Sequence, residues 1–401
     1  MKSTFKKLPG SVIELEVALD QKEFQSYWEN AYNQAIANVQ IKGFRPGTAP
    51  KELADQAVDK DRVFEKSAQE AVKISLDEIS QENGWTIINA PKIELRDSEL
   101  GLKYQTSLTI FPEINLGDYK KIAKKIMSER KPSKAEPEEI EKSLRWLINS
   151  RAKLTKANRE IREGDLVDID VESESDSFKS DKFVFGEGKF IPGFEEQLAN
   201  LKAGDTIEFS LQTPKDYWNE KLRDKKINFK VRVNDVFNRE LPKLDDSFVQ
   251  GLGPAFKTVG DLRASINDGL KKEKEEKETE RLRIKILEEI GRSSKMDIPE
   301  IMIAKTVERM AAEYKPAMEK LGKSEEELKK QLYDQAKNNV TANLVINKIA
   351  EEENLRPSEE EVQKELESLS SKIGKKIDIE KYYGYTYNTL LNQKVFQLLE
   401  K

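Results

Sequence analysis

Between residues 11 and 19 the side chains alternate, with Ile13, Leu15, Val17 and Leu19 on one face and Val12, Glu14, Glu16 and Ala18 on the other. A period of two predicts a half-buried strand. The period then changes. Asp20 stands where a helix N-cap is expected, and Phe24, Trp28, Tyr32, Ala35 and Ile36 follow at spacings of three and four, on one side of a helix. A second helix is predicted from 62 to 82, with Val63, Phe64, Ala68, Ala71, Ile74 and Ile79 toward a core and Gly84 at its end. Apolar runs at 86–89 and 102–111 predict further strands, which complete a small α+β head.

From 112 to 137 the chain turns polar and lysine-rich around KKIAKKIMSERKPSKAEPEE, which on composition reads as a flexible linker. Beyond it the apolar residues Ile140, Leu144, Leu147 and Ile148 recur at spacings of four, three and one. Residues 161 to 237 differ: LVDIDVES, DKFVF, DTIEFSLQ and INFKVRVNDVF, separated by glycine turns, predict a small antiparallel sheet with one short helix. Beyond Asn238 the pattern is helical to the end. Residues 270 to 285 are dense in charge and read as a solvated face. Pro299 opens a helix carrying Ile303, Val307, Met310 and Tyr314; Leu332, Ala336, Val340, Leu344 and Ile349 mark the next. Val362, Leu366, Leu369 and Ile373 form a further stripe, and Leu390, Leu391, Val395, Phe396 and Leu399 close the chain. Stripes at this spacing are ordinarily interhelical core.

One stretch fits neither period. Residues 41 to 51 read IKGFRPGTAPK. Gly43 and Gly47 permit backbone angles closed to other residues, while Pro46 and Pro50 fix φ and remove N–H donors, so a stiff loop is predicted. Composition leaves two readings of it. Phe44 folds back into its own core as part of a well-made turn, or the tip presents Phe44 to a partner's groove and Arg45 to a carboxylate or phosphate.

A chain of 401 residues can hold two or three domains with separate cores. Its 69 basic and 74 acidic residues give a net charge of −5, so no global field draws it to nucleic acid. The lack of cysteine excludes disulfides and thiol chemistry and is compatible with a reducing cytoplasm. The lack of histidine excludes a histidine-based triad and a typical catalytic zinc site, and no metal or cofactor is expected. Neither a signal-peptide core nor a run of ~20 apolar residues is present, so the chain is expected to be soluble and cytoplasmic, with no membrane and no DNA among its partners.

The loop resembles the docking signature of the trigger factor family: glycine, phenylalanine, arginine, any residue, glycine, two residues, proline. Gly43, Phe44, Arg45, Gly47 and Pro50 occupy the signature positions, with Pro46 where that family often has a basic residue. GEGKFIPGFEEQLANLKAGD, at 186–205, resembles the central strand, pocket floor and helix of FKBP-type peptidyl-prolyl isomerases in that family's version. The family's passage from β domain into ELP, an acidic residue and phenylalanine is echoed by Glu240, Leu241, Pro242, Asp245, Asp246 and Phe248. The resemblance covers nearly the whole chain. It implies an α+β multidomain protein with a ribosome-binding α+β head at 1–115 and, at 116–157, an extended linker leading to a helix from 138 to 157, with Ile140, Leu144, Leu147 and Ile148 as its stripe, that packs with the C-terminal body. An FKBP-like antiparallel β domain at 158–238 and an elongated all-α C-terminal body with arms at 239–401 would follow. The implied function is a chaperone that meets nascent polypeptides at the exit tunnel of the bacterial large ribosomal subunit and assists their folding or export; a homodimer away from the ribosome is also implied. With no global field, the ribosomal contact must be local.

Rotation about an X–Pro bond has a barrier of about 18–20 kcal/mol. A catalyst need only hold the proline ring in an apolar bowl and favour the twisted amide, a task for aromatic and aliphatic groups rather than titratable ones. By resemblance the bowl contains Phe190, Ile191 and Phe194, with Phe183 or Phe185, Tyr217 and Phe229, and the Ile191 N–H grips a substrate carbonyl. The chain departs from the family at Val171, where an aromatic is usual, at Lys179 after Phe178, where an acid is expected, and in the shortened loop SESDSFKSD. Weakened catalysis is therefore expected. In the helical part, Met302, Met310, Tyr314 and Met318 are the residues assigned to clients, since thioethers adapt to varied partners. Two other readings stand beside the leading one: a free prolyl isomerase, and a helical adaptor with an inactive isomerase fold.

Overall fold

The computed structural model describes residues 1–45, 48, 50–96, 101–173, 176–217, 223–319, 324–373 and 378–401, and of 176–179, 315–319 and 373 the backbone alone. The chain divides into two compact units, 1–130 with 279–401, and 131–278.

The first unit begins with β1 (Lys2–Leu8), β2 (Val12–Asp20), α1 (Gln21–Asn38), α2 (Lys51–Ala57), α3 (Lys60–Asn83), β3 (Lys92–Arg96) and β4 (Gly101–Thr109). Among the described residues the strands form an antiparallel sheet in the order β1-β2-β4-β3. Ile13, Leu15, Val17 and Leu19 turn inward, as their period requires, against Ala68, Ala71, Leu76 and Ile79 of α3. Each such Ile, Leu or Val side chain contributes about 1.5–3 kcal/mol by burial. Asp20 accepts the Glu23 N–H at 2.9 Å and Glu23 Oε2 accepts the Asp20 N–H at 2.8 Å, a reciprocal cap that starts α1 where the strand stops. In the core the hydroxyls of Ser75 and Tyr104 share a hydrogen bond of 2.7 Å, and burial pushes the Tyr104 phenol up to about 12.

Several expectations for the head need correction. β1 and α2 were not legible in the pattern. The strand expected at 86–89 is a single bridge from Ile87 to Ile110, and the strand that pairs with β4 lies instead at β3, all of whose residues are exposed. Phe64, expected in the core, is exposed, with its ring edge-on to Phe24 at 5.7 Å.

The expected flexible stretch is also different. After the short β5 (Ile114–Asn115) comes α4 (Tyr119–Met127), capped by Asp118, which accepts the Lys121 N–H at 3.1 Å. Tyr119, Ala123 and Ile126 lie at spacings of four and three, and all three are buried; Lys120, Lys121, Lys124 and Lys125 face solvent. The buried stripe packs on α8 (Val259–Ser293), α10 (Glu325–Glu352) and α12 (Ile379–Leu399) through Leu282, Ile286, Val345, Ile349, Leu391 and Val395. The strand β11 (Lys295–Met296) pairs with β5. Helix α9 (Glu300–Glu319) packs on α10 through Ile303, Val307, Leu332 and Ala336, and α11 (Glu359–Ile373) buries Val362 and Leu366. Among the described residues no helix is long and apolar enough to cross a membrane.

The second unit holds α5 (Pro137–Ser150), β6 (Lys153–Lys156), β7 (Leu166–Ser173), β8 (Asp176–Val184), α6 (Phe194–Leu198), β9 (Thr206–Gln212), β10 (Lys226–Glu240), α7 (Asp246–Gln250) and the start of α8. Helix α5 ends at Ser150, short of the expected 157, because β6 leaves it to pair with the end of β10. Leu144 of α5 is buried with Val249 and Leu262. The sheet runs β6-β10-β7-β8, and β10 is long enough to take β9 along 226–232 and β6 along 237–240. Most of the stretch read as a loop after Val171 is strand: β8 begins at Asp176 and pairs with β7.

Candidate functional site

Between α1 and α2, hydrogen bonds tie described residues three positions apart. The Ile41 carbonyl accepts the Phe44 N–H at 3.0 Å, and the Arg45 carbonyl accepts both the N–H and the hydroxyl of Thr48, at 3.0 and 2.7 Å. Gly43 has φ +95° with open space where a Cβ would stand, so glycine is required by conformation and not by crowding. Pro50 has φ −55° and its carbonyl takes the N–H groups of Leu53 and Ala54, so it opens α2 with no loss from its missing donor. Phe44 is 43% exposed, which excludes the reading that folds it into the core. Arg45 is exposed and makes no ion pair among the described residues. Gly47 and Pro46 lie outside the described residues.

In the β domain a chain of rings runs through the residues assigned to the proline bowl. Phe183 meets Phe190 edge-on at 4.9 Å; Phe190 stacks on Phe194 at 4.4 Å; Phe194 meets Phe229 edge-on at 5.4 Å. Phe209 of β9, which the sequence reading left out, joins at 5.3 Å from Phe194 and 5.7 Å from Phe229. Of the two alternatives from β8 and its end, Phe183 makes the ring contact; Phe185 and Ile191 pack half-buried against the same core. The Ile191 carbonyl accepts the Phe194 N–H at 3.0 Å, which fixes the turn into α6. Gly193, at φ +87°, lets that turn close with Leu211 lying 3.2 Å from where a Cβ would be. Tyr217 is half-buried on the loop after β9, where its carbonyl accepts Arg223 Nε at 2.8 Å. Val171 is half-buried on β7, and the side chains of Phe178 and Lys179 lie outside the described residues. An opening of about 590 Å³ beside Phe209 and Phe229 is rimmed by Glu172, Glu208 and Lys230.

Sequence reasoning also missed Glu195. This carboxylate is buried, with one oxygen accepting the Gly186 N–H at 2.7 Å and the other the Lys189 N–H at 2.8 Å. It holds the turn that carries Phe190 and Ile191. A glutamate following GF at the head of a short helix was the available signal. Farther back, Arg159 forks onto Asp165 at 2.6 and 2.9 Å, and the carboxylate also takes the Arg162 N–H, which pins the entry to β7.

The client residues separate. Met310 is 5% exposed in the α9–α10 core, so it belongs to the interhelical packing and not to an open surface. Tyr314 is 46% exposed, and Met302 lines a groove of about 820 Å³. The side chain of Met318 lies outside the described residues. Among the described residues no group of acidic side chains is placed to hold a metal ion.

Comparison with known proteins agrees along the chain. A family profile described as bacterial trigger factor protein matches residues 1–147, one for the bacterial trigger factor C-terminus matches 258–399, and one for FKBP-type peptidyl-prolyl cis-trans isomerase matches 158–234. The trigger factor of Caldicellulosiruptor saccharolyticus is 29% identical over 89% of this chain and 85% of its own. That of Halalkalibacterium halodurans is 28% identical over 94% and 92%. A solved structure titled "Promiscuous Substrate Recognition in Folding and Assembly Activities of the Trigger Factor Chaperone" aligns over 99% of both chains at 21% identity, with a TM-score of 0.48. The chain belongs to the trigger factor family, and is a ribosome-associated chaperone with an FKBP-type peptidyl-prolyl isomerase domain.

Proposed function

We propose that the 41–50 tip is the anchor that holds this chaperone beside the ribosomal exit tunnel, with Gly43, Phe44, Arg45, Gly47 and Pro50 as its docking residues. The observation that carries the reading is that Phe44 and Arg45 are both exposed, each joined by a backbone hydrogen bond to Ile41 and Thr48 respectively, with the guanidinium free of any ion pair among the described residues. A ring and a planar cation held together in this way suit a site that offers an apolar slot beside carboxylate or phosphate. A photo-crosslinking residue in place of Phe44 tests it: crosslinks to proteins of the large subunit are expected, and labelling no greater than at the exposed Leu154 would count against it.

On this reading the working parts are a head at 1–115, the segment 116–157, the isomerase domain at 158–238 and the helical client domain at 239–401. Emerging chains meet Met302 and Tyr314 of that domain. The isomerase domain binds exposed X–Pro segments against Phe190, Ile191, Phe194, Tyr217 and Phe229, with the Ile191 N–H on the substrate carbonyl. Catalysis is weak, because Val171 offers no ring from β7. The work is done in the cytoplasm, in keeping with a chain that lacks cysteine.

A further inference from the structure

The groove that Met302 lines lies within the first unit and is built for more than an apolar side chain. Its floor is Ile114, Met302, Val340 and Leu344, contributed by β5, α9 and α10. Exposed Asn343 stands over that floor, and its carboxamide makes no hydrogen bond among the described residues. Such an amide can donate to and accept from a peptide main chain whatever its side chains. The charged rim is uneven. Both of its carboxylates are engaged, Glu113 with Lys7 at 3.0 Å and Glu351 with Lys348 at 3.3 Å. Two cations on the rim, Lys305 and Arg356, are exposed and have no carboxylate partner among the described residues. An occupant that buries apolar side chains here therefore meets two unmatched positive charges.

We propose that this groove is a client subsite for an extended polypeptide segment with apolar residues next to Asp or Glu, the carboxylates pairing with Lys305 and Arg356 and the main chain with Asn343. The proposal rests on the client-binding reading of the helical domain and gives it a selectivity: acidic flanks over basic ones. The preference is opposite in sign to what the net charge of −5 alone would produce, so it reports a local site and not the overall field.

Fluorescence anisotropy on the full chain tests it with three labelled peptides that share one apolar core and carry acidic, neutral or basic flanks. The acidic peptide is expected to bind about fivefold to tenfold more tightly than the neutral one at low salt, an advantage that added salt removes. Lys305→Glu with Arg356→Glu should reverse the order, and Lys305→Ala with Arg356→Ala should level it; both positions are exposed, so the fold is retained. Equal binding of the three peptides, or an order unchanged in the charge-reversed variant, overturns the subsite. Suppression of aggregation of an unfolded protein, run in parallel, separates the two levels of the claim. If suppression persists without a flank preference, the subsite fails alone; if the wild type neither suppresses aggregation nor binds any peptide, the client reading fails with it.

Discussion

Phe190 and Phe194 stack with their ring centroids 4.4 Å apart and their planes inclined by 22°. The pair joins the two ends of FIPGF, so the half-buried wall of the pocket leans on its buried floor. The two positions should respond differently to truncation. Phe194 is 1% exposed and touches Phe190, Phe209 and Phe229, so Phe194→Ala should cost about 3–5 kcal/mol and unfold the domain early in a thermal melt. Phe190→Ala should leave the melt nearer to wild type while abolishing turnover of a proline tetrapeptide in a protease-coupled assay.

Glu195 should matter for the same pocket without touching a substrate. Glu195→Ala leaves the N–H groups of Gly186 and Lys189 without their acceptor, at a cost of roughly 1–3 kcal/mol. Chemical denaturation checks the loss, and amide exchange should show faster opening at 186–191 than in the rest of the sheet.

The joint between α4 and α10 predicts a pH dependence. Glu353 pairs with Lys120 at 2.6 Å and accepts the Tyr119 hydroxyl at 2.6 Å; these two hydrogen bonds hold its carboxyl below the ordinary 4.5. Burial first, then the bond to Glu353, pushes the Tyr119 phenol upward. A depressed acid favours the fold while it is ionised, so its contribution is full above 4.5 and is lost as pH falls through the native value. Glu353→Gln should therefore melt below wild type at pH 7, and the difference should close as the buffer is taken well below pH 4.5.

Lys156 and Phe237 face each other as strand partners, so the isomerase domain leaves and re-enters the chain at one place. Replacing residues 157–236 by a short Gly-Ser turn should leave the rest of the fold intact, with suppression of client aggregation retained. Loss of suppression in a folded truncation would move the main client site into the isomerase domain.

What the sequence showed and what it hid follow from burial. Period-two and helical stripes were legible where one face is buried and apolar residues dominate the segment, as in Ile13 to Leu19 and Leu332 to Ile349. β3 is exposed at every residue, and β1 at all but Leu8, so neither leaves an alternating signal. In α4 the lysines outweigh the stripe: Tyr119, Ala123 and Ile126 keep helical spacing, but four lysines among nine residues read as linker composition. Phe44 and Arg45 were singled out by a motif, and their exposure, which composition left open, is what the fold adds. Met310 was misplaced because a helical stripe does not say which residues face a neighbouring helix and which face solvent. Phe209 was missed because DTIEFSLQ shows a strand without showing what its ring touches.

The anchoring claim has a direct measurement in cosedimentation with bacterial ribosomes, wild type against Phe44→Ala with Arg45→Ala. Both side chains are exposed, so the double variant should keep its melt. If they are the docking hot spot, affinity should fall roughly thirtyfold or more and the variant should stay in the supernatant. A folded double variant that pellets with ribosomes as fully as the wild type would contradict the account.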